Sequence, residues 1–264
     1  MNAYVSHYHA EYSRVNDAYA TDRVVQALEA GKFIEMTSQS KDVQIYCGDF
    51  NTEPGDLPHR VLTQHYNLKD SQSHLAEKLK TCYSKENSYQ SWDGEKNPRE
   101  ITIDYVMYRS LFDSKVLNVT RPLASAKVEV TGKSYSDHEA LEVDLELSIS
   151  DAKKSNTASE SKKRTHERSL KSSEKRALKS EIGNVLEEEV NKAFWWGIFH
   201  LCCLFLALAL AFTFILSLRI FIVGFALFFC AFQMGMLYIY VERHSSLKAI
   251  LQDHTFGLQE QHES

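Results

Sequence analysis

From Ala193 to Val241 the chain runs for 49 residues with one formal charge, Arg219. As a single helix this run would be about 73 Å long at ~1.5 Å per residue, more than twice the ~30 Å thickness of a bilayer's hydrocarbon core. It must therefore break, and Ser217-Leu218-Arg219 is the natural place. Two spans remain, 193–216 and 220–241, each suited to one crossing. Long stretches are apolar on all sides rather than on one stripe, which separates them from the helices of a soluble core. Two crossings return the chain to its starting side. Lys175, Arg176, Lys179 and Lys192 precede the first span while the turn offers only Arg219. Residues 1–192 and the tail 242–264 are thus expected in the cytosol. His200 and Gln233 are expected to hydrogen-bond from helix to helix rather than to serve transport.

Charge divides the rest. Residues 1–150 hold 16 basic and 23 acidic side chains, a balance that argues against a nucleic-acid partner, since phosphates need facing cations. From Lys153 to Lys179 there are ten basic and three acidic side chains. Residues 151–181 therefore read as a flexible or partly helical linker. Its basic residues suit either attraction to anionic lipid, at about 1 kcal/mol each near the surface, or a plain solvated spacer. Leu178, Ile182, Val185, Leu186 and Val190 recur at helical spacing, so 182–192 is expected as a helical lead-in to the first span. The five cysteines read as reduced thiols.

Residues 1–150 have an α/β pattern. Val43–Cys47 and Ile101–Tyr108 are β-rich runs, and Ala3–His9 looks like a strand from the middle of a sheet. Ala140–Leu147 alternates, with Leu141, Val143, Leu145 and Leu147 on one face, as a strand with one buried side does. Helices are expected over Asp17–Phe33 and near Leu57–His65. A mixed or antiparallel sheet covered by helices follows.

Four clusters could carry chemistry. His7 and His9 lie in the first strand-like run. Asp49 and Asn51 lie in Gly48-Asp49-Phe50-Asn51, directly after a strand. Asp104 lies in Ile103-Asp104-Tyr105-Val106, and Asp137 and His138 lie in Ser136-Asp137-His138-Glu139 before the last strand. A His paired to an Asp can draw a proton from water, because the carboxylate fixes its tautomer and stabilises its cation. A carboxylate beside an Asn can hold or protonate an oxygen at phosphorus, and hard oxygen ligands suit Mg²⁺.

In this order, each beside a strand, the clusters resemble the endonuclease/exonuclease/phosphatase superfamily. His7-Tyr8-His9-Ala10-Glu11-Tyr12, the GDFN run followed by Glu53-Pro54-Gly55-Asp56-Leu57, and Ser136–Leu141 resemble its neutral sphingomyelinases with a C-terminal membrane hairpin. The resemblance implies the C-terminal half of a four-layer, deoxyribonuclease-I-like α/β sandwich and a Mg²⁺-dependent phosphodiesterase that cleaves sphingomyelin to ceramide and phosphocholine. His138 would be the general base and Asp104 its orienting carboxylate. Asp49 and Asn51 would contact the phosphoryl group, Asp49 assisting the leaving alkoxide. Asp137 would serve the metal, and His7 would stabilise a phosphate oxygen. His9 is read as pointing away from His7 and as structural. The family's principal metal-binding Glu has no counterpart here, so the chain is expected to begin inside the domain, to bind Mg²⁺ poorly and to be inactive as it stands. Two alternatives are a lyso-phospholipid phospholipase C of the same family and a non-catalytic membrane adaptor built on a half-domain.

Overall fold

The alternation and turn chemistry of the first half build two small sheets. In the computed structural model, which describes residues 1–38, 43–89, 99–110, 113–148, 158–214 and 221–259, the chain divides into two units, 1–178 and 179–264. In the first unit, β1 (Asn2–Val5) pairs parallel to β2 (Gln44–Asp49). β2 pairs antiparallel to β4 (Asp104–Arg109), and β4 to the short β3 (Lys69–Asp70), giving the order β1-β2-β4-β3. β5 (Asp113–Thr120) and β6 (Glu142–Ser148) form a separate antiparallel ribbon. Leu141, Val143, Leu145 and Leu147 are half-buried, so the expected alternation is present but its inner face is not fully covered.

Helix α1 (Ala20–Thr37) begins and ends later than the expected 17–33. It buries Val24, Ala27, Leu28 and Ile34, an i, i+3, i+4 stripe of the kind that seats a helix on a core. Gly31 lies on the same helix because a Cβ there would sit 2.1 Å from the Tyr66 ring. The expected helix near Leu57–His65 is α2 (Leu57–Arg60) running on into a wider turn over Val61–His65, where Tyr66 N–H donates to the Val61 carbonyl at 3.1 Å. The core between sheet and helix is an aromatic stack. Phe50, fully buried, lies 4.9 Å from Tyr8, 4.7 Å from Tyr46 and 5.5 Å from Tyr105, ring centre to ring centre. Such rings each contribute a few kcal/mol by burial, plus about 0.5–1.5 kcal/mol per offset pair. Their hydroxyls are satisfied, since Tyr46 donates to Tyr8 at 2.8 Å and Tyr105 to the Thr52 carbonyl at 2.8 Å. Phe50 immediately follows Asp49, so the stack that holds the core also fixes the end of β2.

Long helices follow, and the second unit consists of the parts of them beyond residue 178. α3 spans Ala158–Phe214 and α4 spans Phe221–Gln259. The linker expected over 151–181 is thus helical from Ala158, and the expected break at Ser217–Arg219 lies outside the described residues. Stretches within Ser172–Phe212 and Gly224–Gln252 are long and apolar enough to cross a bilayer, and only 17% and 6% of their apolar stretches are buried. A core helix of a soluble protein would be mostly buried. Here Phe205, Phe212, Phe225 and Phe228 face outward. The helices run antiparallel, with His200 Nδ1 2.6 Å from Gln233 Oε1, the His200 and Tyr240 rings stacked at 5.0 Å, and Arg243 3.7 Å from Glu189.

Candidate active site

The register of β2 against β4 creates the site. Asp49, the last residue of β2, is the direct partner of Asp104, the first residue of β4. Two carboxylates placed opposite one another repel. Burial first, and then the charge of Asp104, push the Asp49 carboxyl above its ordinary range. Gly48 makes room for the neighbouring segment. Its φ is +141°, and a Cβ there would lie 1.9 Å from the Ser6 carbonyl oxygen. Only glycine allows that close passage, and it brings the segment after β1 alongside Asp49.

His138 arrives from the far end of the unit. Its backbone bridges Cys82, and its Nδ1 lies 2.9 Å from Asp104 Oδ2. Its Nε2 faces Asp49 Oδ2 at 3.9 Å, while His7 Nε2 reaches the same oxygen at 3.3 Å. The bond to Asp104, with a second from Cys82, pushes the His138 imidazole up to about 11. Asp49, Asp104 and His138 each offer a ligand atom, all within 4.8 Å of one another. Mg²⁺ takes one or two protein carboxylates and completes its shell with water and substrate oxygens, so this donor set fits it. A carboxyl held up by a neighbouring carboxylate is also one that a cation would relieve.

Of the residues singled out in the sequence, His138, Asp104, Asp49 and His7 converge. Asn51 sits beside them at φ 43°; its N–H donates to Asp49 Oδ1 at 2.8 Å and its amide to the Tyr8 carbonyl at 3.0 Å. The side chain of Asn51 thus holds the turn that presents Asp49. Asp137 is exposed, bonded by the Ser136 hydroxyl at 3.3 Å, and stands outside the group of three. The reading of His9 as pointing away on a strand needs correction. Residues two apart on a strand share a face, and β1 ends at Val5. His9 instead stacks on Tyr19 at 3.7 Å.

Sequence reasoning missed the segment Thr81–Asn87, which lies behind the pair. Thr81 and Ser84 are fully buried. Cys82 pairs with Ile101 on one side and His138 on the other. Glu139, also buried, receives bonds from Ser84 Oγ at 2.5 Å and Asn87 Nδ2 at 3.0 Å. No periodicity marks this stretch, and its partners lie about twenty to sixty residues away.

Residues 2–138 match the family model described as the Endonuclease/Exonuclease/phosphatase family. The chain is 35% identical to mouse (Mus musculus) sphingomyelin phosphodiesterase 2 over 151 residues, covering 53% of this chain and 35% of that protein. It is 32% identical to the human (Homo sapiens) protein of the same name over 151 residues, 53% of this chain and 34% of that one. Inositol phosphosphingolipids phospholipase C of Saccharomyces cerevisiae is 32% identical over 119 residues, 39% of this chain and 25% of that protein. The chain therefore spans about a quarter to a third of the length of these relatives. With the family model matched across both sheet ends that carry Asp49 and Asp104 and as far as His138, the chain belongs to the endonuclease/exonuclease/phosphatase family.

Proposed function

We propose that the site belongs to a membrane-anchored, Mg²⁺-dependent phosphodiesterase that cleaves sphingomyelin into ceramide and phosphocholine. The observation that carries this reading is the convergence of His138, Asp104 and Asp49 within 4.8 Å. The names of the mouse and human relatives support the choice of substrate. In the proposed reaction Asp104 holds the proton on Nδ1 of His138, so Nε2 is the atom that accepts a proton from water attacking phosphorus. Nε2 and Asp49 Oδ2 lie 3.9 Å apart, so both groups face the same point. Asp49, as a carboxylate, is proposed to contact the phosphoryl group and to assist departure of the alkoxide, which takes its proton from solvent. His7, whose side chain is exposed beside Asp49, is placed to stabilise a phosphate oxygen. When bound, Mg²⁺ would neutralise phosphoryl charge and would lower the proton affinity of His138, which its bond to Asp104 raises. Asp49 and Asp104 would hold it, with Asp137 as a more distant contributor from the exposed loop.

The apolar hairpin supports membrane anchoring. The Lys and Arg before the first span support a cytosolic placement of residues 1–192 on an internal membrane, with the basic stretch of 151–181 facing anionic lipid. Tethering concentrates the enzyme at the surface that holds its substrate. As it stands the chain is proposed to bind Mg²⁺ weakly and to turn over little or nothing, because the group of three holds no glutamate to serve as the principal ligand that the resemblance leads one to expect. A chimera tests the function: this chain's segment 2–138 replacing the matching part of the mouse relative, assayed for phosphocholine release from sphingomyelin vesicles with and without Mg²⁺. Activity on lyso-phospholipid alone would favour the other headgroup-sharing substrate.

A further inference from the structure

The geometry points to Thr81 as a positioning residue that fixes the distance between Asp104 and His138, a role that rests on the reading of these two as the base pair of the site. Its hydroxyl oxygen accepts the backbone N–H of Ile103 at 3.0 Å and of Asp104 at 3.1 Å. Its carbonyl accepts the backbone N–H of Glu139, the residue after His138, at 2.7 Å. One residue thus grips the backbone of Asp104 and that of Glu139, which adjoins His138, at sequence separations of 23 and 58. Thr81 is in turn anchored by its own N–H, which donates to the Ile101 carbonyl at 2.9 Å.

The far side of the grip is braced. Ser84 Oγ donates to Glu139 Oε1 at 2.5 Å, and Asn87 Nδ2 donates both to Glu139 Oε1 at 3.0 Å and to the Ser136 carbonyl at 2.9 Å. Residues 136 and 139 flank Asp137 and His138, so the loop is held at both ends while the catalytic face stays open. Thr81, Ser84, Asn87 and Glu139 are all buried, where a satisfied polar network is rigid and a half-satisfied one is costly. A threonine suits the place because an apolar side chain of the same shape leaves two buried N–H groups without an acceptor.

Selectively ¹⁵N-histidine-labelled full-length chain in detergent micelles tests this. The readout is the hydrogen-bonded Nδ1 proton of His138, assigned by its loss in His138→Asn, together with its exchange rate. Wild type and Thr81→Ser, which keeps the acceptor, are expected to show the same slowly exchanging low-field proton. Thr81→Val is expected to lose it or to raise its exchange at least tenfold with the circular dichroism unchanged. An unaltered proton in folded Thr81→Val overturns the proposal. If Thr81→Val does not fold, Ser84→Ala decides: faster exchange supports the grip and unchanged exchange overturns it. Because the readout needs no turnover, failure of the phosphodiesterase reading would appear separately, as a correctly held pair in a chimera without activity.

Discussion

Asp49 and Asp104 are cross-strand partners, the last residue of β2 opposite the first residue of β4, and both carboxylates meet the His138 imidazole. A cation beside them relieves their repulsion and opposes the charge on His138. Adding Mg²⁺ is expected to lower the His138 titration from about 11 toward neutrality, and Asp49→Asn is expected to weaken that response. Histidine proton resonances followed over pH with and without Mg²⁺ check this. An unchanged titration at saturating Mg²⁺ contradicts it.

His138 also couples folding to pH. Its folded value lies above the ordinary 6.5 because Asp104 bonds its charged form, so the stabilisation is fully present below pH 6.5 and is lost as pH rises through about 11. A hydrogen bond to a charged group contributes about 1.5–3 kcal/mol. Between these limits the urea midpoint of wild type is expected to fall toward that of His138→Asn, which lacks the titrating group. Parallel midpoints across that range would contradict the linkage.

Phe50 is the centre of the aromatic stack and is fully buried. Phe50→Ala is expected to destabilise the first unit by about 3–5 kcal/mol, while Phe33→Ala, at an exposed position, is expected to change stability by about 0.5 kcal/mol or less. Denaturant unfolding monitored by tyrosine fluorescence compares the two.

The hairpin gives a topology prediction. In sealed microsomes, protease added outside is expected to digest residues 1–192 and the tail, leaving a protected fragment that contains His200 and Gln233. Protection of the first 150 residues would reverse the proposed orientation.

Much of this arrangement is legible in the residues themselves. Gly48-Asp49-Phe50-Asn51 marks both a strand end and a core anchor, and the alternation of Leu141, Val143, Leu145 and Leu147 marks β6 to within two residues. β5 is not legible, because a register shift between Val116 and Asn118 breaks the alternation and leaves Leu117 exposed. Helix α3 starts at Ala158, inside a Lys/Ser/Glu-rich stretch with too few apolar residues to signal it. The grip of Thr81 on Asp104 and Glu139 has no sequence signature, since it depends on backbone groups that tertiary contacts bring together.

Phosphocholine release from sphingomyelin by the chimera carrying residues 2–138 bears most directly on the proposed chemistry. Mg²⁺-dependent release is expected, falling at least about a hundredfold in His138→Asn, in the range that general-base catalysis supplies. A folded chimera whose release is Mg²⁺-dependent and equally fast with Asn at position 138 would contradict it.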